Sequence, residues 1–235
     1  MILHVLCLMR NEEIIMPYFL RYYSTIADKI IIMLDTTSTD RTREMALANP
    51  LVELHELDFY RGFNEADKAI FTVEAYKKYS RGIADWVINV DSDEFYYTED
   101  LRKTLEDQRL KGVRLLRAGA YLMISETVPT TTGQIYEESN MGKRCRYHDK
   151  TNIFDPSLDI EYRFGQQQHC PIEGVPVRWA QIKLLHYRCL SRQYFIDRTV
   201  TNLSRYGYGS RLINQRLRTG LQGFDRDIKN LTKII

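Results

Sequence analysis

The segment Trp86-Val87-Ile88-Asn89-Val90-Asp91-Ser92-Asp93-Glu94-Phe95 runs an apolar stretch straight into three carboxylates within four positions. Ligands of open α/β sheets sit beyond the carboxyl ends of the strands, and two acids one residue apart at such an end can converge on a cation. Packing them there without one costs repulsion. Hard divalent ions take one or two carboxylates and complete their shell with phosphates and water. Asp91 and Asp93 therefore point to a metal that joins the protein to a diphosphate. An EF-hand counted from Asp91 needs Gly at position 96 and Glu at 102, where the chain has Tyr96 and Arg102. The plainer alternative is an acidic turn, or an acid cluster at the N-terminus of a following helix.

Two more strand ends are polar in the same way. Asp35-Thr36-Thr37-Ser38-Thr39-Asp40-Arg41-Thr42 follows the apolar run Lys29–Leu34, and Arg10-Asn11-Glu12-Glu13 follows Ile2–Met9. Asp35 can accept hydrogen bonds from a base or ribose, while Ser38 or Thr39 suits the N-cap of a helix. Three strand ends on one edge make a nucleotide pocket. Lys68, on the helix before Trp86, is grouped with the residues of that pocket. The fingerprints G-x-G-x-x-G, G-x-x-x-x-G-K-[ST] and G-x-S-x-G are absent, which disfavours dinucleotide-binding, P-loop and α/β-hydrolase chemistry. Cys145, His148, His169 and Cys170 could supply a zinc site, but an adjacent His-Cys pair is poor geometry for one ion.

These residues need elements to hold them. Strands are expected at Ile2–Met9, Lys29–Leu34, Leu51–Leu57, Trp86–Val90 and Val113–Leu116. Helices are expected from Met16 to Ala27, from Ser38 or Thr39 to Ala48, over Asn64–Tyr79 and over Thr98–Leu110. This alternation predicts an α/β fold with a mostly parallel sheet. Past Gly119 the rhythm changes to short β-prone pieces, Tyr121–Ile124, Arg144–Tyr147, Thr151–Phe154, Ile160–Phe164, Val177–Trp179 and Ile182–His186, and helical periodicity returns from Arg192. We read 1–235 as one domain in three parts: 1–118, 119–190 and a basic helical segment over 191–235.

Composition sets outer bounds. With 235 residues, 44% hydrophobic and 27% charged, the chain can bury a core unaided. A formal charge of only +2 argues against a nucleic-acid partner. No run approaches the ~20 apolar residues of a membrane span, and scattered cysteines suit a reducing cytoplasm. Residues 190–235 hold nine Lys/Arg against three Asp/Glu, with Arg192, Arg198, Arg205, Arg211, Arg216 and Arg218 on the expected polar helix faces. A solvated face is the plain reading. Peripheral contact with an anionic membrane, at its inner face, or with an acidic glycan is the alternative.

Taken in order, Arg10-Asn11-Glu12, Asp35 through Thr42, Asp91-Ser92-Asp93-Glu94-Phe95 and the later Lys183-Leu184-Leu185-His186-Tyr187 resemble the family 2 glycosyltransferases, in the branch with RNE, D-x-x-S-T-D-x-T, D-x-D-E-F and HY motifs. The resemblance runs to about residue 195. It implies a GT-A fold, with a Rossmann-like nucleotide-binding half and a smaller mixed β half. It also implies a nucleotide-sugar donor, Mn²⁺ or Mg²⁺, and inversion at the anomeric carbon. By position, Asp35 matches the acid that contacts the nucleobase. Asn11 and Glu13, with Arg10, match the loop lining the nucleoside. Asp91 and Asp93 match the D-x-D pair, and His186 a histidine that completes the metal site or touches the diphosphate. Thr36 stands where a second acid is often found, and the E-D motif that supplies the base in many members is absent. Glu173 is the first choice for that base, with Asp149, Asp155 and Glu161 as rivals. The expected acceptor is a glycan or lipid-linked hydroxyl. A nucleotidyltransferase and a non-catalytic carbohydrate-binding module are the competing readings.

Overall fold

A computed structural model describes residues 1–59, 65–130, 132–162, 172–205 and 207–235. In chain order the first part comprises β1 (Leu3–Met9), α1 (Met16–Tyr23), β2 (Lys29–Asp35), α2 (Thr42–Leu47), β3 (Val52–Leu57), α3 (Glu65–Tyr79), β4 (Trp86–Asn89), β5 (Glu94–Tyr97) and α4 (Leu101–Leu110). There follow β6 (Leu115–Ile124), α5 (Ile135–Glu138), β7 (Met141–Arg144), β8 (Lys150–Phe154), β9 (Arg178–Cys189), α6 (Arg192–Arg205), α7 (Ser210–Asp227) and β10 (Thr232–Lys233).

One mixed sheet joins the strands in the order β10-β7-β6-β8-β4-β1-β2-β3, with β9 paired to β6 and β5. Its β4-β1-β2-β3 part is wholly parallel, so the carboxyl ends of these strands share one edge. β8 then enters antiparallel to both β4 and β6, and β5 pairs antiparallel with β9, placing Glu94 opposite His186. The mixed α/β class read from the sequence is the one observed.

The two faces of β1 and β2 bury alternate residues. Val5, Cys7, Ile30 and Ile32 pack with Ile15, Phe19, Tyr22 and Tyr23 of the α1 region and with Leu105 of α4. Leu6, Ile31 and Met33 pack with Ala75 and Tyr76 of α3. Strands covered on both faces read as continuous apolar runs, which is why both were legible. Pro17 lies in the first turn of α1, where its missing N–H costs nothing.

Several local expectations are corrected. Neither Ser38 nor Thr39 caps α2: residue Arg41 precedes the helix and no side-chain cap forms there. The acid cluster is neither a surface turn nor a helix start, because Glu94 opens β5 and the next helix is capped by Asp100, which accepts from the Lys103 N–H at 2.9 Å. The change of rhythm at residue 119 falls inside β6, not between elements. The strand runs on through Ala118-Gly119-Ala120, with a bulge between Leu116 and Ala118. A Cβ on Gly119 would lie 3.2 Å from Arg144 Nη2, so the glycine admits that guanidinium. Val177–Trp179 and Ile182–His186 fuse into β9. Arg144–Tyr147 ends a strand and continues into a 3₁₀ turn at Arg146–His148. Of Ile160–Phe164, the described residues show only an isolated bridge at Tyr162.

Candidate active site

Three loops leave the shared edge of β1, β2 and β4. The first is tied to the second by hydrogen bonds. Asn11 has φ +53°, a left-handed conformation that asparagine tolerates. Its N–H donates to Ser38 Oγ at 3.0 Å, and its Oδ1 accepts from the Thr39 N–H at 2.8 Å. Ser38 therefore serves Asn11 instead of a helix cap. Arg10 Nε donates to Thr37 Oγ1 at 2.8 Å and lies 3.9 Å from Asp35 Oδ2. Asp35 is 1% exposed, and its Oδ1 accepts from both the N–H and the hydroxyl of Thr37.

Glu13, expected to line the nucleoside, is exposed and accepts the Arg41 N–H at the start of α2. Its neighbour Glu12 turns inward and pairs with Arg198 of α6. Burial pushes the Glu12 carboxyl above its ordinary range, against the pull of Arg198.

Asp91, Asp93 and Glu94 form the centre. Asp91 Oδ1 accepts from Lys68 Nζ and Oδ2 from Lys150 Nζ, both at 2.8 Å. The Lys150 ammonium also donates to Glu94 Oε2 at 2.8 Å. Asp93 Oδ2 lies 3.2 Å from Arg198 Nη2 and 3.5 Å from His186 Nε2. Burial raises the Asp91 carboxyl, but Lys150 and Lys68 outweigh it and hold the group well below the carboxylate range. Burial raises Asp93 likewise, and Arg198 and His186 reverse it. For Glu94 burial prevails over Lys150, and its carboxyl sits above the ordinary value. Burial disfavours the charged Lys150 ammonium, yet Asp91 and Glu94 keep it firmly protonated.

The backbone explains the convergence. The Glu94 N–H closes a turn onto the Asp91 carbonyl, and the Tyr187 N–H donates to the Asp93 carbonyl at 2.7 Å. The hairpin-like pairing of β5 and β9 thus carries His186 to the D-x-D turn. His186 Nδ1 is buried without a partner. The His148 ring stands edge-on to it, with ring centroids 5.0 Å apart. Burial, then the neighbouring His186 and Lys150, lower His148 to about 4, so it is neutral at physiological pH.

The structure thus brings together Lys68, Asp91, Asp93 and His186, and sets Arg10, Asn11 and Asp35 along the same edge. Glu173 is exposed in a turn beside Gly174, which has φ +73°. Among its rivals, Asp149 is engaged by Arg144 and the Ala120 N–H, Asp155 holds Arg114 and Ser157, and Glu161 is exposed. His169 and Cys170 of the alternative zinc set lie outside the described residues. Sequence reasoning missed Glu12, Lys150 and Arg198. Glu12 stood inside a quoted motif, but neither cation carried a local signal. Of the six arginines expected on a basic outer face, Arg198 is turned into the site and Arg192 pairs with Asp225. Arg211, Arg216 and Arg218 are exposed, and the Arg205 side chain lies outside the described set.

No family model and no curated protein matches the chain. Among solved structures it resembles residues 1–349 of S. aureus TarS in complex with UDP, with a TM-score of 0.49 and 13% identity over 92% of this chain and 70% of that one. For the complex of the same protein with UDP-GlcNAc the TM-score is 0.47 and the identity 13%, over 98% of this chain and 74% of that one. Among the described residues no helix is long and apolar enough to cross a membrane.

Proposed function

We propose that this chain is an inverting glycosyltransferase of GT-A type that moves a sugar from a nucleotide-diphosphate donor, a UDP-sugar ahead of a GDP-sugar, to a hydroxyl of a glycan or lipid-linked acceptor. The observation that carries the reading is the placement of Asp35, Asp91 and Asp93 at the carboxyl ends of parallel strands on one edge, with His186 delivered beside Asp93 by β9. A binding module that only stacks on sugars has no use for ionised carboxylates buried at such an edge.

Each residue then has a task. Asp35 is the carboxylate assigned to the N–H edge of the base, oriented by the Thr37 hydrogen bonds to its Oδ1. Arg10 and Asn11 keep the two nucleoside-side loops in register. Lys68 and Lys150 neutralise Asp91 and orient it.

Asp93 and His186 would hold a divalent cation, which would neutralise the charge growing on the departing diphosphate. The donors fit. The Asp93 carboxyl stays ionised, and the His186 nitrogen that faces it is Nε2, 3.5 Å away. One carboxylate and one imidazole would leave the rest of the cation's shell to phosphate oxygens and water. An imidazole beside a carboxylate favours Mn²⁺ over Mg²⁺. Glu173 is the base in this proposal. It is exposed, and unlike Asp149 and Asp155 it forms no ion pair among the described residues. It lies on the segment that leads into β9. Arg211, Arg216 and Arg218 would serve a lipid-linked acceptor at an anionic surface.

The test is a panel of UDP-, GDP- and dTDP-sugars followed for slow metal-dependent hydrolysis, together with Asp93→Ala. The variant should lose Mn²⁺-dependent UDP binding in calorimetry and keep its circular dichroism spectrum. Parent-like Mn²⁺ and UDP binding by the variant would show that the D-x-D assignment is wrong.

A further inference from the structure

Arg198 belongs by sequence to the outer face of a basic helix, and the structure puts it somewhere else. Ser191 Oγ accepts the Tyr194 N–H at 3.0 Å and starts α6. Phe195 then packs against Phe224 and the bare backbone of Gly220. Pinning Phe195 on that side turns Tyr194 and Arg198, four residues apart and hence on one helix face, toward the carboxylates. The guanidinium lies over the Tyr194 ring at 5.8 Å. Nη1 donates to Glu12 and, at 3.2 Å, to Tyr194 Oη. Nη2 reaches Asp93 Oδ2 at 3.2 Å and Ser92 Oγ at 3.5 Å. One side chain therefore bridges the loop after β1, the loop after β4 and α6.

We propose that Arg198 is the diphosphate-binding cation of the donor site, exchanging Asp93 for the donor's phosphates while Glu12 holds it in place. The inference rests on the donor reading above. A guanidinium matches phosphate oxygens with a planar fork of N–H groups. Its two acid partners make the exchange inexpensive: when Asp93 turns to a cation, Glu12 still compensates the buried charge. A purely structural arginine has no need of a partner that is itself a site carboxylate. Glu12 is a positioning residue in this scheme, and α6 becomes the element that senses whether the donor is bound.

The experiment measures affinities of uridine, UMP and UDP by calorimetry, with Mn²⁺, for the parent, for Arg198→Lys and for the double variant Glu12→Gln/Arg198→Gln. Arg198→Lys keeps the charge and the fold but not the fork. It should bind uridine within about twofold of the parent and UDP roughly ten- to hundredfold more weakly, which is the worth of a charge-assisted hydrogen bond. The double variant removes both charges of the Glu12–Arg198 pair and should show the same selective loss. Dependence of UDP binding on Mn²⁺ should persist in both. If uridine and UDP weaken equally, or UDP binding is unchanged, Arg198 only braces the fold and the proposal fails. If the parent itself binds UDP no better than uridine, the donor reading fails, and this inference with it.

Discussion

Replacing Lys150 by Met tests the centre of the carboxylate cluster. The Lys150 side chain is 5% exposed, and its Nζ lies 2.8 Å from Asp91 Oδ2 and 2.6 Å from Glu94 Oε1. Methionine fills a similar volume and removes only the charge. Asp91 keeps Lys68 at 2.8 Å, so the cost falls on Glu94, which is 0% exposed. Stripping one partner from a buried ion pair costs about 3–5 kcal/mol, and that loss should appear in the urea midpoint at neutral pH. Burial already raises the Glu94 carboxyl above 4.5, and loss of the ammonium raises it further. The folded variant then holds a proton that the unfolded chain has released. Its stability must therefore fall as pH rises from the ordinary carboxylate value, by up to about 1.4 kcal/mol per unit, and level off above the folded value. Lys150→Met/Glu94→Gln removes both charges, so it should recover most of the loss and flatten that slope. A single variant within about 1 kcal/mol of the parent, or a double variant no better than the single, would refute the buried triad.

Two other substitutions probe separate links. Asp35→Asn can keep the Thr37 hydrogen bonds through Oδ1 but presents a donor to a donor edge of the base. UDP affinity should fall by about 1–3 kcal/mol, and unchanged affinity for both UDP and GDP would place the base elsewhere. Gly220→Ala sets two effects against each other. Helix propensity gains about 1 kcal/mol, while a Cβ 2.6 Å from Phe195 Cζ overpacks the α6–α7 contact at a cost of about 1–3 kcal/mol. The melting temperature should drop, and a rise would show that the two helices do not meet at Phe195.

Much of the fold was legible because its central strands are buried on both faces. Ile30 to Leu34 and the strand over Leu3–Met9 are nearly unbroken apolar runs, and the helices between them carry a clear apolar face. The acids at the strand ends were legible too, since each stands at or just beyond its strand: Asp35 closes β2, and Asp91 and Asp93 follow β4. Strand-end position is a local property, and local spacing is what a sequence displays.

What neutralises those acids was not local. Lys150 begins β8, and it meets Asp91 and Glu94 because β8 lies antiparallel beside β4. Arg198 comes from a helix whose spacing allowed an outward basic face, and only the packing of Phe195 against Gly220 and Phe224 rotates it inward. Between Glu12 and Glu13 the chain offers two equal acids. The left-handed turn at Asn11, fixed by Ser38 and Thr39, sends one to Arg198 and the other to α2. The sequence by itself determined which acids stand at the strand ends, because a strand's length and burial are written in consecutive residues. Tertiary structure alone decided which cations face them, because burying a charge requires a partner and that partner can come from anywhere in the chain.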